Sequence, residues 1–328
     1  MRKRLLVIGS AYPKEEFDFL GRYAETHWLD EMDGEGLESL LPTIDCVLVN
    51  FWPSELGPER LAKMSRLAFV QSGLAGVNQI PLRNLGEGVV VCSNAGAYSD
   101  EVGEYAWGLL LAAAKKIVKY DRAVRTKGFA RPPTPLLGRE VMTLKGRTLG
   151  VMGYGGIGRS VADIGRAFGM RIMVYSRREV NEEGVAAFRG ERGLGQMLPQ
   201  CDVLVLALPL TKSTTGMLGK DELELMKRDS VIVNIARAEI VDQRALYNHL
   251  VRNGQFIFAT DVWWSKDGQE SYAPELPFLE LDNFIGTPHA SGPSAVVGGR
   301  PLRFALENIE RFLKGEQPRN VVRREEYV

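Results

Sequence analysis

Gly153, Gly155 and Gly158 fall in V-M-G-Y-G-G-I-G, residues 151–158, between a β-branched apolar run and an amphipathic one. That spacing suits one chemistry. The glycines allow a tight turn and a close approach of backbone to a pyrophosphate, whose charge meets the free N–H groups of the helix that follows. In a chain with 35 glycines the spacing alone is weak, so its context decides. T-L-G-V-M precedes the turn, Ile157, Val161, Ile164 and Phe168 recur at helical spacing behind it, Gly169 ends that helix, and R-I-M-V-Y supplies the next strand. This βαβ unit predicts a dinucleotide site along Gly153, Tyr154, Gly155, Gly156, Ile157 and Gly158. A carboxylate ending the second strand would bind a free ribose 2′-hydroxyl. The chain instead reads V-Y-S-R-R, with Ser176 in that place and Arg177 and Arg178 behind it. Guanidinium groups bind a 2′-phosphate with forked geometry. Two arginines are also ordinary on a solvated face, but the missing acid is a separate sign. NADP(H) is therefore expected ahead of NAD(H).

Elements must position that turn. Short apolar runs alternate with longer amphipathic stretches, the pattern of a parallel sheet covered by helices. In the first half, strands are expected at 5–9, 46–49, 67–71 and 89–92, and helices at 15–23 and 59–64. Residues 100–120 read as one long buried helix capped by Ser99 or Asp100, with the domain hinge near its start. Pro132, Pro133 and Pro135 make 126–144 an irregular excursion. Strands follow at 148–152, 171–175, 203–207, 231–235, 256–260 and 283–286. The tail, 295–313, is amphipathic, with Leu302, Ala305, Leu306, Ile309 and Phe312 on one face, and is expected to return to the first domain. Two domains are expected, 1–97 with 291–328 for substrate and 98–290 for the nucleotide.

Composition bounds the partners. At 328 residues the chain exceeds the usual single core. Lys plus Arg and Asp plus Glu each number 41, so no net field marks it for nucleic acid or a membrane surface, and a small ligand is expected instead. Cys46, Cys92 and Cys201 lie far apart, which speaks against a zinc site or a disulfide framework, and no metal is expected. A reducing cytoplasm fits. M-R-K-R-L-L-V-I-G-S carries an apolar run of strand length and no small-residue cleavage site, so it reads as a strand and not a signal peptide. No apolar run reaches a membrane span.

A succession of segments resembles the D-2-hydroxyacid dehydrogenase family, which includes glyoxylate/hydroxypyruvate reductases. The segments are Q-S-G-L-A-G-V-N (71–78), L-K-G-R-T-L-G-V-M-G-Y-G-G-I-G (144–158), A-L-P-L-T-K-S-T-T-G (207–216), V-N-I-A-R-A-E-I-V-D (233–242), A-T-D-V (259–262) and T-P-H-A-S-G (287–292). They span nearly the whole chain. The resemblance implies an α/β protein of two doubly wound parallel-sheet domains, a flavodoxin-like substrate domain and a Rossmann cofactor domain, with a hinged cleft and a homodimer built partly on the long helix. It implies that Arg237 binds and polarises the substrate and that His289 is the general acid/base. A 2-oxo acid needs such groups, because hydride addition to its carbonyl develops an alkoxide that must be protonated and stabilised. The other two histidines, His27 and His249, read as structural. By the same resemblance, cofactor contacts extend to Leu208, Pro209, Thr215, Ile235, Ala236, Arg237, Asp261 and His289. Backbone N–H groups of Leu74, Ala75 and Gly76 would hold the substrate carboxylate, a nest that needs no side chain.

Two departures matter. The family places a Glu five positions after the Asp of D-V-F to pair with the catalytic His, whereas here Lys266 stands there. The segment that follows is longer, D-G-Q-E-S-Y-A-P-E, so Asp267, Glu270 or Glu275 is expected to take that role, with Glu270 and Asp267 favoured. Ala238 for the Gly after Arg237 is minor. V-N-F-W-P-S puts Phe51 and Trp52 at the substrate position, where two aromatics without a cation suit a small or apolar substituent better than a phosphate. Both residues also fit simple packing. The expected activity is hydride transfer between NADP(H) and a short 2-oxo or 2-hydroxy acid such as glyoxylate or hydroxypyruvate. The alternatives are a cofactor-sensing protein of the same fold, and phosphite, formate or phosphoglycerate oxidation.

Overall fold

The computed structural model describes residues 2–9, 12–127, 141–266, 269–270, 275–292 and 299–328. It divides the chain into two units, Met1–Tyr98 with Pro293–Val328, and Ser99–Gly292.

Unit 1 is built on five parallel strands, β1 (Lys3–Ile8), β2 (Ala24–Trp28), β3 (Cys46–Val49), β4 (Phe69–Ser72) and β5 (Val90–Cys92), in the order β2-β1-β3-β4-β5. Side chains alternate across a strand, so Leu6, Ile8, Val47 and Val49 fill one face and Leu5, Val7, Cys46 and Leu48 the other. Both faces are buried, as a parallel sheet with helical crossovers requires. The first face is covered by α1 (Gly34–Leu40) and α2 (Pro58–Lys63) through Leu37, Leu40 and Leu61. Phe17 and Leu20, three residues apart in the turn Lys14–Arg22, cover the second. That segment, expected as a helix over 15–23, is a 3-10 helix.

Unit 2 opens with α3 (Ser99–Ala114) and α4 (Ile117–Lys127). One helix was expected across this span, and the structure corrects that. Lys116 takes a left-handed backbone (φ 55), Met142 N–H caps the Ala114 carbonyl, and Lys115 Nζ donates to Met142 O at 2.7 Å. The break depends on a distant segment, and no Gly or Pro marks it. Seven parallel strands follow: β6 (Thr148–Met152), β7 (Arg171–Tyr175), β8 (Val185–Phe188), β9 (Val203–Leu206), β10 (Val231–Asn234), β11 (Ile257–Thr260) and, after the two-stranded ribbon β12 (Ser265–Lys266) and β13 (Gln269–Glu270), β14 (Phe284–Gly286). Their order is β14-β11-β10-β9-β6-β7-β8, so the winding reverses between β6 and β9. Helices α5 (Gly156–Ala167), α6 (Gly190–Met197), α7 (Lys220–Leu225) and α8 (Gln243–Arg252) lie between the strands in sequence. At the α3–α5 crossing a Cβ on Gly103 would lie 2.4 Å from Ser160 Oγ, and Trp107 Nε1 donates to Val161 O at 3.0 Å. The last helix, α9 (Arg300–Leu313), belongs to unit 1, where Leu302, Ala305, Leu306 and Ile309 join the second face of its sheet. Residues 295–298 and 128–140, which carry part of the expected tail and most of the proline-bearing excursion, lie outside the described residues.

The two units repeat one device. Asp45, before β3, accepts Arg4 N–H at 2.8 Å on one oxygen and faces Arg66 (2.9 Å) and Lys3 (3.6 Å) with the other. Asp202, before β9, accepts Thr148 N–H at 2.8 Å and faces Arg147 and Lys227, both at 2.9 Å. A buried carboxylate persists only when so compensated. Burial pushes Asp202 up, but the Thr148 N–H, Lys227 and Arg147 outweigh it and hold the carboxyl below its ordinary range. Each acid ties the strand it opens to the first strand of its sheet.

Candidate active site

In unit 2 the candidate residues gather at the carboxyl ends of the parallel strands, where open α/β sheets bind ligands at the switch point. The glycine turn follows β6, and A-L-P follows β9. Gly153 has φ +95, and a Cβ there would lie 2.5 Å from Ala207 O, so only glycine lets these two loops touch. At Gly158 a Cβ would lie 2.0 Å from Gly153 O. Gly155 differs. Its φ of −87 is ordinary, and nothing lies within 4 Å of the Cβ position. That open space faces the start of α5, whose Gly156, Ile157 and Gly158 N–H groups have no partner in their own helix and no capping side chain. The turn therefore fits a pyrophosphate: the space is open and the donors are present.

Tyr154 contributes backbone to this turn while its side chain braces it. Its hydroxyl donates to Glu182 Oε2 at 2.9 Å, the Arg159 guanidinium lies 4.4 Å over its ring, and Arg159 and Arg166 both pair with Glu182. After β7, Ser176 N–H donates to Phe188 O and Ser176 Oγ accepts Arg178 N–H at 3.1 Å. The side chains of Arg177 and Arg178 are exposed. After β9, Leu208 is buried and Pro209 exposed, and Thr214 Oγ1 donates to Pro209 O at 2.7 Å. Thr215, exposed, gives its hydroxyl to Thr211 O at 2.9 Å.

Arg237 leaves β10 through an Asx turn. The fully buried Asn234 accepts Ala236 N–H at 3.0 Å and donates to Arg237 O at 3.0 Å, which fixes the Ile235–Ala236–Arg237 backbone. The half-buried Arg237 spends one donor on Ala236 O at 2.7 Å. His289 follows β14 with φ 53. Its turn is held by Asp261, wholly buried, whose carboxylate accepts Thr287 Oγ1 (2.6 Å), Ala290 N–H (2.9 Å) and Ser291 N–H (2.7 Å). Asp261, expected among the cofactor contacts, uses both carboxylate oxygens to hold the histidine's turn.

Glu270 Oε2 lies 2.6 Å from His289 Nδ1. The ribbon explains how it gets there. Ser265 pairs with Glu270 and Lys266 with Gln269, so the chain turns back after Lys266 and the returning strand carries the carboxylate. Asp267 lies outside the described residues, and Glu275 is exposed. Trp263 and Trp264, which sequence reasoning passed over, anchor the strand entering the ribbon. Trp263 Nε1 donates to Thr287 O at 2.8 Å, and Trp264 Nε1 to Val241 O at 3.1 Å. A tryptophan pair beside a turn, each needing an acceptor when buried, is the available signal. His27 lies on β2, and His249 packs edge-on against Phe256 at 4.6 Å in the last turn of α8.

In unit 1, Leu74 N–H is spent on Ser72 Oγ at 3.1 Å, while the Ala75 and Gly76 N–H groups donate to no described residue. A Cβ on Gly73 would lie 2.0 Å from Asn50 Oδ1 and 2.7 Å from Tyr12 Oη, so only glycine fits beneath that pair. Burial pushes the Tyr12 phenol up, and it donates to Asn50 Oδ1 at 2.7 Å. Trp52 packs against the core with its N–H on Leu56 O at 2.8 Å, whereas Phe51 is 69% exposed.

Residues 107–291 match the family model described as D-isomer specific 2-hydroxyacid dehydrogenase, NAD binding domain. Among curated proteins, the glyoxylate reductase of Aeropyrum pernix is 32% identical over 99% of this chain and 97% of its own length. That of Thermococcus gammatolerans is 32% identical over 98% and 97%. Among solved structures, a Pyrobaculum aerophilum protein named, provisionally, as a formate dehydrogenase superposes with a TM-score of 0.82, at 31% identity over 100% of both chains. With two parallel-sheet α/β units and a matched nucleotide-binding half, this chain belongs to the D-isomer specific 2-hydroxyacid dehydrogenases, a family of oxidoreductases.

Proposed function

We propose that the protein is an NADP-preferring reductase of small 2-oxo acids, of which glyoxylate and hydroxypyruvate are the leading candidates, with His289 as general acid/base and Arg237 as the substrate-binding cation. The single observation that carries this is the 2.6 Å contact between His289 Nδ1 and Glu270 Oε2. With Nδ1 donating to a carboxylate, the imidazolium keeps its transferable proton on Nε2, the nitrogen free to serve a substrate oxygen. The nicotinamide cofactor, when bound, supplies the hydride. Gly155 leaves room for its pyrophosphate, and Gly156, Ile157 and Gly158 present the N–H groups. Arg237, anchored through Asn234, keeps donors for a carboxylate and the adjacent carbonyl oxygen. As the carbonyl carbon is reduced, His289 protonates the oxygen and Arg237 stabilises its developing charge. In unit 1, Ala75 and Gly76 offer N–H groups suited to a carboxylate, and the exposed ring of Phe51 suits a small apolar substituent.

NADP preference is supported by Ser176 where an acid would bind the 2′-hydroxyl, and by the exposed Arg177 and Arg178. The family's glyoxylate reductases support the substrate class. A homodimer is supported by Ile117, Val118 and Val124, which expose 54%, 39% and 52% of their surface on α4. Among the described residues no helix is long and apolar enough to cross a membrane, and a cytoplasmic setting suits three buried free cysteines.

The test follows nicotinamide absorbance with NADPH and NADH against glyoxylate, hydroxypyruvate and pyruvate, and with NADP and NAD against formate, phosphite and 3-phosphoglycerate. Glyoxylate or hydroxypyruvate turnover faster with NADPH is expected. The Arg177→Ala/Arg178→Ala variant should lose about tenfold or more of the NADPH preference, the equivalent of one charge-assisted hydrogen bond. Oxidation of formate alone would shift the assignment toward the activity named for the Pyrobaculum relative. Micromolar cofactor binding without turnover on any substrate would favour a sensor.

A further inference from the structure

We infer that Glu239 is a positioning residue for the His289–Glu270 pair, acting as the clasp that holds the β12–β13 ribbon to the Arg237 turn. This rests on the proposal that His289 and Glu270 act together. Glu270 sits on a strand of two residues paired with another of two, Ser265–Lys266 against Gln269–Glu270. A ribbon so short does not hold its own geometry and takes it from what it is tied to. Two adjacent residues tie it to the Arg237 side. Trp264 Nε1 donates to Val241 O at 3.1 Å, and its ring stacks on Phe278 at 5.1 Å. One residue on, Ser265 gives both its N–H (3.2 Å) and its hydroxyl (2.8 Å) to Glu239 Oε1. Ser265 is the residue directly across the ribbon from Glu270, so the clasp is one cross-strand step from the carboxylate.

Glu239 also stands two residues after Arg237, on the short 3-10 turn Ala238–Ile240, whose Glu239 carbonyl accepts Gly216 N–H at 2.8 Å. The neighbouring Trp263 ties the same strand to the other side, through Thr287 O, two residues before His289. The W-W-S segment thus divides its bonds, one to the histidine's turn and the next three to the arginine's. Cutting the Glu239 clasp leaves the strand attached at the tryptophans and frees Ser265, and with it the paired Glu270, to shift. Displacement of about 1 Å in a positioning group costs up to about a hundredfold in rate.

The experiment uses the full chain, with kcat and KM for glyoxylate, NADPH affinity by fluorescence, and thermal unfolding. The variants are Glu239→Ala, Glu239→Gln, Ser265→Ala, Glu270→Gln and the double variant Glu239→Ala/Glu270→Gln. Glu239→Ala is expected to lower kcat about tenfold while NADPH affinity stays within about twofold, and Ser265→Ala, which removes one hydroxyl, to lower kcat about threefold. Glu239→Gln keeps an oxygen that accepts both bonds and should recover most of the rate. The double variant should be no slower than Glu270→Gln alone, because the clasp works only through Glu270. A slow Glu270→Gln beside fast Glu239→Ala and Ser265→Ala, or a double variant slowed by the product of both losses, overturns the clasp and leaves the pair standing. Glu270→Gln with the parent kcat removes the pair and the clasp together. If Glu239→Ala does not fold, Ser265→Ala alone and combined with Glu270→Gln makes the same comparison.

Discussion

Replacing Gly155 and Gly158 by alanine, one at a time, separates the cofactor cradle from the fold. At Gly158 the new methyl would meet Gly153 O at 2.0 Å, backbone against backbone, so the turn must open. Overpacking of that kind costs about 3 kcal/mol, which for a unit of this size lowers Tm by about 6–12 °C. At Gly155 the methyl enters open space, and φ −87, ψ −157 suits alanine. A smaller unfolded-state entropy favours the variant by about 0.4–1 kcal/mol, and a poorer helix cap offsets it, so Tm should move little. The same methyl occupies the space a pyrophosphate needs. Losing one charge-assisted hydrogen bond of about 1.5–3 kcal/mol raises the NADPH Kd about 10- to 150-fold. The assay pairs thermal unfolding with titration of NADPH fluorescence. Parent-like affinity in Gly155→Ala, or parent-like melting in Gly158→Ala, would refute the assignment of cradle and turn.

Asp202→Asn is expected to cost about 1–3 kcal/mol at neutral pH, since it uncouples Arg147 and Lys227, each about one-third exposed, from a buried acid. Because the folded carboxyl lies below its unfolded value, its contribution is complete above the ordinary carboxylate range and is lost as pH falls through the folded value. Urea melts should show the gap between parent and variant narrowing with acidification, and a constant gap would contradict this. Phe51→Ala removes a ring that is 69% exposed, so Tm should stay within about 2 °C while KM rises more for pyruvate than for glyoxylate. Equal effects on both acids would take Phe51 out of substrate selection.

Several strands were legible because their signal is local. Residues 46–49, 148–152 and 171–175 are runs of buried or alternating apolar side chains and form strands with those bounds. The edge strands β2 and β8 were not. A-E-T-H-W and V-A-A-F have few fully buried positions, so edge pairing and not composition makes them strands. Nor was the α3–α4 break, which depends on Met142 capping Ala114.

What the sequence determined by itself is the nucleotide turn: the backbone angle at Gly153 and the contacts at Gly153 and Gly158 are demands that only glycine meets, so residue type records them directly. The Arg237 turn is nearly as local, because Asn234 reaches residues two and three positions ahead. Which carboxylate meets His289 is different. Asp267, Glu270 and Glu275 are alike in type, and Glu270 lies 19 residues from the histidine it touches. Only the pairing of Ser265 with Glu270, and the bonds from Trp263, Trp264 and Ser265 to two separate turns, bring that oxygen to Nδ1. Contacts between distant turns leave no periodicity in the chain, and so tertiary structure alone decided it.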